Sequence, residues 1–179
     1  MRGHSQKGYT MKVNTLLRGL DRISEWSGRI FVWLVIPLTV IVVFEVISRR
    51  FFQSPHIWAT EVIDYIYGPH FMLVAAYTLL YKGHVAIDII YQRFSPRTRG
   101  ILDFITYSVF FFPFAFIVVY QGAIYAYTSW SIGETSESAA LRILPLIKTM
   151  IPVSFVLLLL QGLATYIRAI LQAVKGEEV

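Results

Sequence analysis

The stretch YKGHVAIDIIYQRFSPRTR, residues 81–99, closes one hydrophobic segment with Gly83, His84 and Asp88, and sets Lys82, Arg93, Arg97 and Arg99 ahead of the next. A short, basic connection between two apolar runs is the pattern of a turn on one side of a membrane. Working outward from it, the chain divides into four apolar spans, at about residues 30–48, 61–80, 104–127 and 150–167. Each is near the ~20 residues needed to cross a hydrocarbon layer of ~30 Å. Lipid offers the backbone no hydrogen-bond partner, and the alternating pattern of a barrel strand is absent, so the spans must be helices. The expected fold is an all-α integral membrane protein with four transmembrane helices.

Composition agrees. In 179 residues, 56% are hydrophobic, 16% aromatic and 15% charged, and the mean hydropathy is +0.58. That is more apolar surface than a soluble domain of this size can bury. Cysteine is absent, which removes disulfides, thiolate metal sites, cysteine nucleophiles and thioether-linked haem. Residues 1–29 mix charges throughout and hold no short apolar core before a small-residue cleavage site, so the first span is expected to stay attached. Pro37, Pro69 and Pro113 fall inside spans, where each removes an amide donor and should kink the helix. Pro152 reads as a first-turn proline of the fourth span.

Twelve of the sixteen lysines and arginines lie before span one, between spans two and three, or after span four; Arg49, Arg50, Arg142 and Lys148 alone lie in the other two connections. The positive-inside rule then puts both termini in the cytoplasm. The net charge of +5 therefore reports topology, and no basic stripe with interleaved aromatics points to nucleic acid. Three regions follow: a cytoplasmic segment at 1–29, a transmembrane domain at 30–170 and a cytoplasmic tail at 171–179. Within the first, Val13, Leu16, Leu17, Leu20, Ile23 and Trp26 recur at helical spacing opposite Asn14, Arg18, Asp21, Arg22 and Glu25. This amphipathic helix reads either as an interfacial anchor or as an extension of span one.

Residues 81–99, and above all KGHVAID, resemble the small membrane subunit of the tripartite ATP-independent periplasmic (TRAP) transporters, the DctQ type. The likeness continues in SRRFFQSPHIWATE (48–61), WSIGETSESAALRILPL (130–146) and IPVSFVLLLLQ (151–161), and spans about residues 28–169. One departure is Ala59, which separates Trp58 from Thr60 and Glu61. The resemblance implies residence in a bacterial inner membrane. It implies two partners, a large membrane subunit that carries the ion-coupled path, usually for sodium, and a periplasmic binding protein that delivers an organic acid anion. The small subunit would enlarge the scaffold and help receive the binding protein. His84 and Asp88 match the family's signature pair.

A charge at bilayer depth costs roughly 2.5 to 3.5 kcal/mol on insertion scales, so each should find a partner. Glu45 has Arg49 at i+4. Glu61 and Asp64 lie one turn apart at the outer end of span two, at the depth of Arg49 and Arg50. A cluster locking helices one and two accounts for these five, with subunit contacts and an ion pathway as the alternatives. His84 and Asp88, one turn apart, would shape a helix end or dock a subunit. His70, in mid-span, reads as a hydrogen-bonding residue facing a neighbouring helix. Its fourteen-residue spacing to His84, about 21 Å along a helix, suits paired haem ligands, yet spans one, three and four supply no histidine. Trp58 joins Trp26, Tyr81 and Trp130 in an interfacial belt. Gln121 and Gln161 are read as interhelical hydrogen-bonding groups. In the outer loops, Arg50, Gln53, His56, Glu134, Glu137 and Arg142 are the docking candidates.

No nucleophile with a base, metal-spaced cluster or phosphate loop is present, so no enzyme, metal or cofactor is expected. Nor do the spans show the internal repeats and mid-membrane polar groups of a self-sufficient carrier. An accessory transport subunit is the expected function; a haem-b electron-transfer subunit and a free-standing tetraspan organiser are the alternatives.

Overall fold

The computed structural model describes residues 3–81, 93–136 and 143–176, with the backbone alone at 3–14. All regular structure among these residues is helical. Helix α1 (Gly3–Phe31) passes through one 3-10 turn (Val32–Leu34) into α2 (Val35–Phe51), and α3 (Ile57–Leu80) returns. Helix α4 (Pro96–Thr106) leads through a π turn (Tyr107–Phe111) into α5 (Phe112–Ile132), and α6 (Leu144–Lys175) closes the bundle. Helix α6 is the hub. It packs on α1, α3, α4 and α5, while α1 and α2 both pack on α3.

Three stretches are long and apolar enough to cross a membrane: Thr15–Phe51, Pro96–Ile132 and Leu144–Lys175. The second expected span forms α3, 24 residues long, but is not among the three. Glu61, Asp64, Pro69, His70 and several tyrosines dilute its apolar character. Two spans also run well beyond their expected limits. At 37 residues each, Thr15–Phe51 and Pro96–Ile132 would extend about 55 Å at 1.5 Å per residue.

The prolines explain the two breaks in helical pitch. Pro37 offers no amide to the carbonyl of Trp33, and the turn just before it tightens to 3-10 geometry, with the Val35 amide bonding Val32 O. Pro113 likewise offers none to Val109, and the preceding turn widens so that the Phe112 amide reaches back to Tyr107 O. The π turn aims two side chains at α6. Phe111 covers Gly162, where a Cβ would come within 2.2 Å of its ring, and Ser108 Oγ donates to Tyr166 Oη at 3.0 Å. Pro152 corrects the sequence reading. Helix α6 begins eight residues earlier, at Leu144, with Pro145 in its first turn, so Pro152 is interior.

Small residues set the helix spacing, as expected where helices meet without a hydrophobic drive between them. On α1 the buried seam is Leu17, Ser24, Ser27 and Gly28, with Gly28 against the ring of Tyr77 on α3. Leu16, Ile23, Trp26 and Ile30 face outward. Gly100 on α4 sits on the backbone of α6, where a Cβ would lie 2.6 Å from Ala173 N and 2.8 Å from Ala169 O.

Candidate functional site

Polar side chains gather at three levels of the bundle. At one end, α2 turns into α3. The turn is made by Gln53, a non-glycine residue at φ +49°, and by the amides of Phe52 and Ser54, which both donate to Ser48 O, at 3.1 and 3.3 Å. This brings His56 to the start of α3, where its carbonyl accepts from Ala59 N at 3.2 Å. The amide of His56 would be unsatisfied in a bare helix start. Glu45 satisfies it: Oε1 accepts from His56 N at 3.2 Å and from Arg49 Nη2 at 3.0 Å. Glu45 is only 5% exposed, so one buried carboxylate ties α2 to the first turn of α3.

Around this anchor the rings of Phe44, His56 and Trp58 form a triangle with centroids 5.5 to 6.0 Å apart. His56 Nδ1 lies 3.4 Å from Glu45 Oε2. On the other flank, Arg49, Arg50 and Thr60 line an open groove with Val42, Val46 and Ile63. Of the five charges expected to cluster here, Glu45 and Arg49 pair, and Glu61 is buried on α3. Asp64 instead is exposed. His56, assigned from sequence to docking alone, is the partner that reading missed. Ala59, the departure from the family pattern, is fully buried, where a larger side chain would push α3 away.

The connection from α5 to α6 lies at the same end. Gly133 ends α5 in a left-handed conformation, φ +60°, and turns the chain so that Glu134 points back at the bundle. Its carboxylate accepts from Ser129 Oγ at 2.6 Å and from Lys148 Nζ. These bonds, Lys148 first, hold the Glu134 carboxyl below its usual range. Lys148 also sits 4.0 Å over the Tyr125 ring, a cation–π contact, and Trp130 Nε1 donates to Thr149 Oγ1 at 2.9 Å. Glu134 is thus held by its own chain. Glu137 and Arg142 lie outside the described residues.

At mid-bundle, His70 Nδ1 is 2.9 Å from the carbonyl of Phe31. A carbonyl only accepts, so this contact selects the tautomer with hydrogen on Nδ1. The geometry follows from the 3-10 turn: the Val35 amide bonds Val32 O, leaving Phe31 O room for the imidazole. Gln121 is exposed on α5, not turned to a neighbouring helix as expected.

The end that holds the N-terminal half of α1 carries a cluster that the sequence reading did not foresee. Asp21 on α1 accepts from Gln161 Nε2 at 3.2 Å and from Arg168 Nη2, both on α6. Gln161 is fully buried. Nearby, Glu25 pairs with Arg29 at 2.6 Å and accepts from Tyr81 Oη at 3.5 Å. His84 and Asp88 belong to this end by sequence but lie outside the described residues. Among the described residues no group of three or more histidines, aspartates or glutamates could hold a metal ion.

The site therefore comprises part-buried polar contacts, of which Asp21 with Arg168 and Gln161 and Glu45 with His56 join one helix to another, with exposed arginines and aromatic rings at one end. Searches of curated proteins and of solved structures returned no match. A family model does match, over residues 38–172: the DctQ component of tripartite ATP-independent periplasmic transporters. That span takes in α2 to α6 almost whole, and the chain belongs to this family, as a small membrane component of a TRAP transporter.

Proposed function

We propose that this chain pairs with the large membrane subunit of its transporter and helps dock the periplasmic binding protein during ion-coupled uptake of an organic acid anion, with sodium the expected ion. The observation that carries this reading is the family match over residues 38–172 on a bundle whose buried Glu45 and Gln161 are engaged in contacts between its own helices. The chain works as a scaffold, not an enzyme. Co-expression with the large subunit should give a complex that survives purification, whereas a free-standing membrane organiser would purify without it.

The bundle crosses the inner membrane four times, with α3 as the second crossing. Its 24 residues reach about 36 Å; Glu61 is buried and His70 meets Phe31, while Asp64, near the outer end, is exposed. Both termini face the cytoplasm, with residues 1–29 and 171–179 flanking the transmembrane domain. The outer end then holds Arg50, Gln53, His56 and Trp58, together with Glu134, Glu137 and Arg142, as the docking surface. The chain has no native cysteine, so single cysteines report topology cleanly. Cysteines at positions 4, 95 and 175 should react with an impermeant thiol reagent only after the inner membrane is opened, and one at 138 from the periplasm. Labelling of position 95 in intact cells would overturn the four-crossing arrangement.

A further inference from the structure

A groove of about 490 Å³ runs along the outward face of α1, within the ~300–1,000 Å³ usual for ligand pockets. Gly19, Ile23, Trp26 and Ile30 form its floor at helical spacing, and Leu157 of α6 closes one side. At Gly19 a Cβ would meet nothing within 4 Å, so the helix surface is open there. Arg22 stands at its mouth. Both acids beside Arg22 are engaged, Asp21 by Arg168 and Glu25 by Arg29, and among the described residues Arg22 has no ion pair. From Arg22 to Phe31 the groove runs about 14 Å along α1 at 1.5 Å per residue, from the amphipathic segment at the membrane surface into the start of the first crossing. Trp26 is 69% exposed beside the arginine, as suits an indole at the headgroup level.

We infer that this groove is a binding site for one anionic phospholipid of the cytoplasmic leaflet. Arg22 holds the phosphate, and an acyl chain lies along Ile23, Ile30 and Leu157. A guanidinium that has no ion pair among the described residues, above an apolar channel, matches a charged headgroup above a hydrocarbon tail, and matches a second apolar helix poorly. The bound lipid would brace α1 against α6 from outside, on the opposite face from the Asp21 cluster. The inference rests on the membrane-subunit reading.

The test uses the full chain purified with its large subunit in nanodiscs of equal phosphatidylglycerol and phosphatidylcholine, with retained lipid read by native mass spectrometry. Phosphatidylglycerol should be retained in about fivefold preference, the scale of one basic residue at an anionic surface. Arg22→Gln should bring retention close to parity. Ile30→Ser, which makes the tail channel polar, should lower retention of both lipids, while Arg50→Gln at the opposite end should change nothing. Wild-type retention in an intact Arg22→Gln or Ile30→Ser complex would overturn the site. So would lipid held by the chain alone and displaced once the large subunit binds. Failure to form a complex at all would count against the subunit reading instead.

Discussion

Gly100→Ala is expected to destabilise the bundle by about 1–3 kcal/mol, and Gly100→Leu by more, because the space a side chain would need is filled by backbone. A Cβ at this position lies 2.6 Å from Ala173 N and 2.8 Å from Ala169 O, and neither atom can move without bending α6. Gly162 provides the comparison. Its neighbour at 2.2 Å is the ring of Phe111, which can turn aside, so Gly162→Ala should cost less. Gly68 meets nothing within 4 Å, and Gly68→Ala should be neutral or stabilising by up to ~1 kcal/mol through helix propensity. Thermal midpoints in detergent rank the three. An unchanged midpoint for Gly100→Ala would mean that α4 does not lie on α6 as described.

The second large effect belongs to Asp21. Asp21→Ala removes the acceptor for both Gln161 and Arg168, leaving a fully buried amide and a half-buried guanidinium without their shared partner. Hydrogen bonds to charged groups contribute about 1.5–3 kcal/mol, so a loss of about 2 kcal/mol is expected. Arg168→Ala alone should cost less, because Gln161 still bonds the carboxylate. The double variant should be less destabilised than the sum of the two. Strict additivity would show that the residues do not interact. Asp21 precedes the matched residues 38–172 while Gln161 and Arg168 lie within them, so this cluster binds the N-terminal helix to the shared bundle.

Particular residues show how far the sequence could be read. The apolar runs and their prolines gave the helices and marked where pitch changes at two of the three expected places, because a missing amide acts locally: the 3-10 turn lies before Pro37 and the π turn before Pro113, while Pro69 stands inside an unbroken α3. The Glu45–Arg49 pair was legible for the same reason, being one helical turn. The inward face of α1 was not. Helical spacing separates Leu16, Ile23 and Trp26 from Asp21, but periodicity cannot say which side meets protein when the opposite side meets lipid. Here the polar residue turned inward, because Gln161 and Arg168 wait on α6. Lys148 and Thr149 misled in a similar way. Polar residues before an apolar run read as loop, yet α6 already contains them, with Lys148 engaged by Glu134 and Tyr125. The His56 contact with Glu45 depends on how a turn folds back, which no local pattern encodes.

The central claim is that the chain completes a transporter without carrying its substrate. The direct measurement is uptake of the organic acid anion into vesicles reconstituted with the large subunit and supplied with binding protein and an ion gradient, with and without this chain. Uptake should require the chain, and the chain alone should neither transport nor retain the anion. Full gradient-driven uptake by the large subunit and binding protein in its absence would contradict the account.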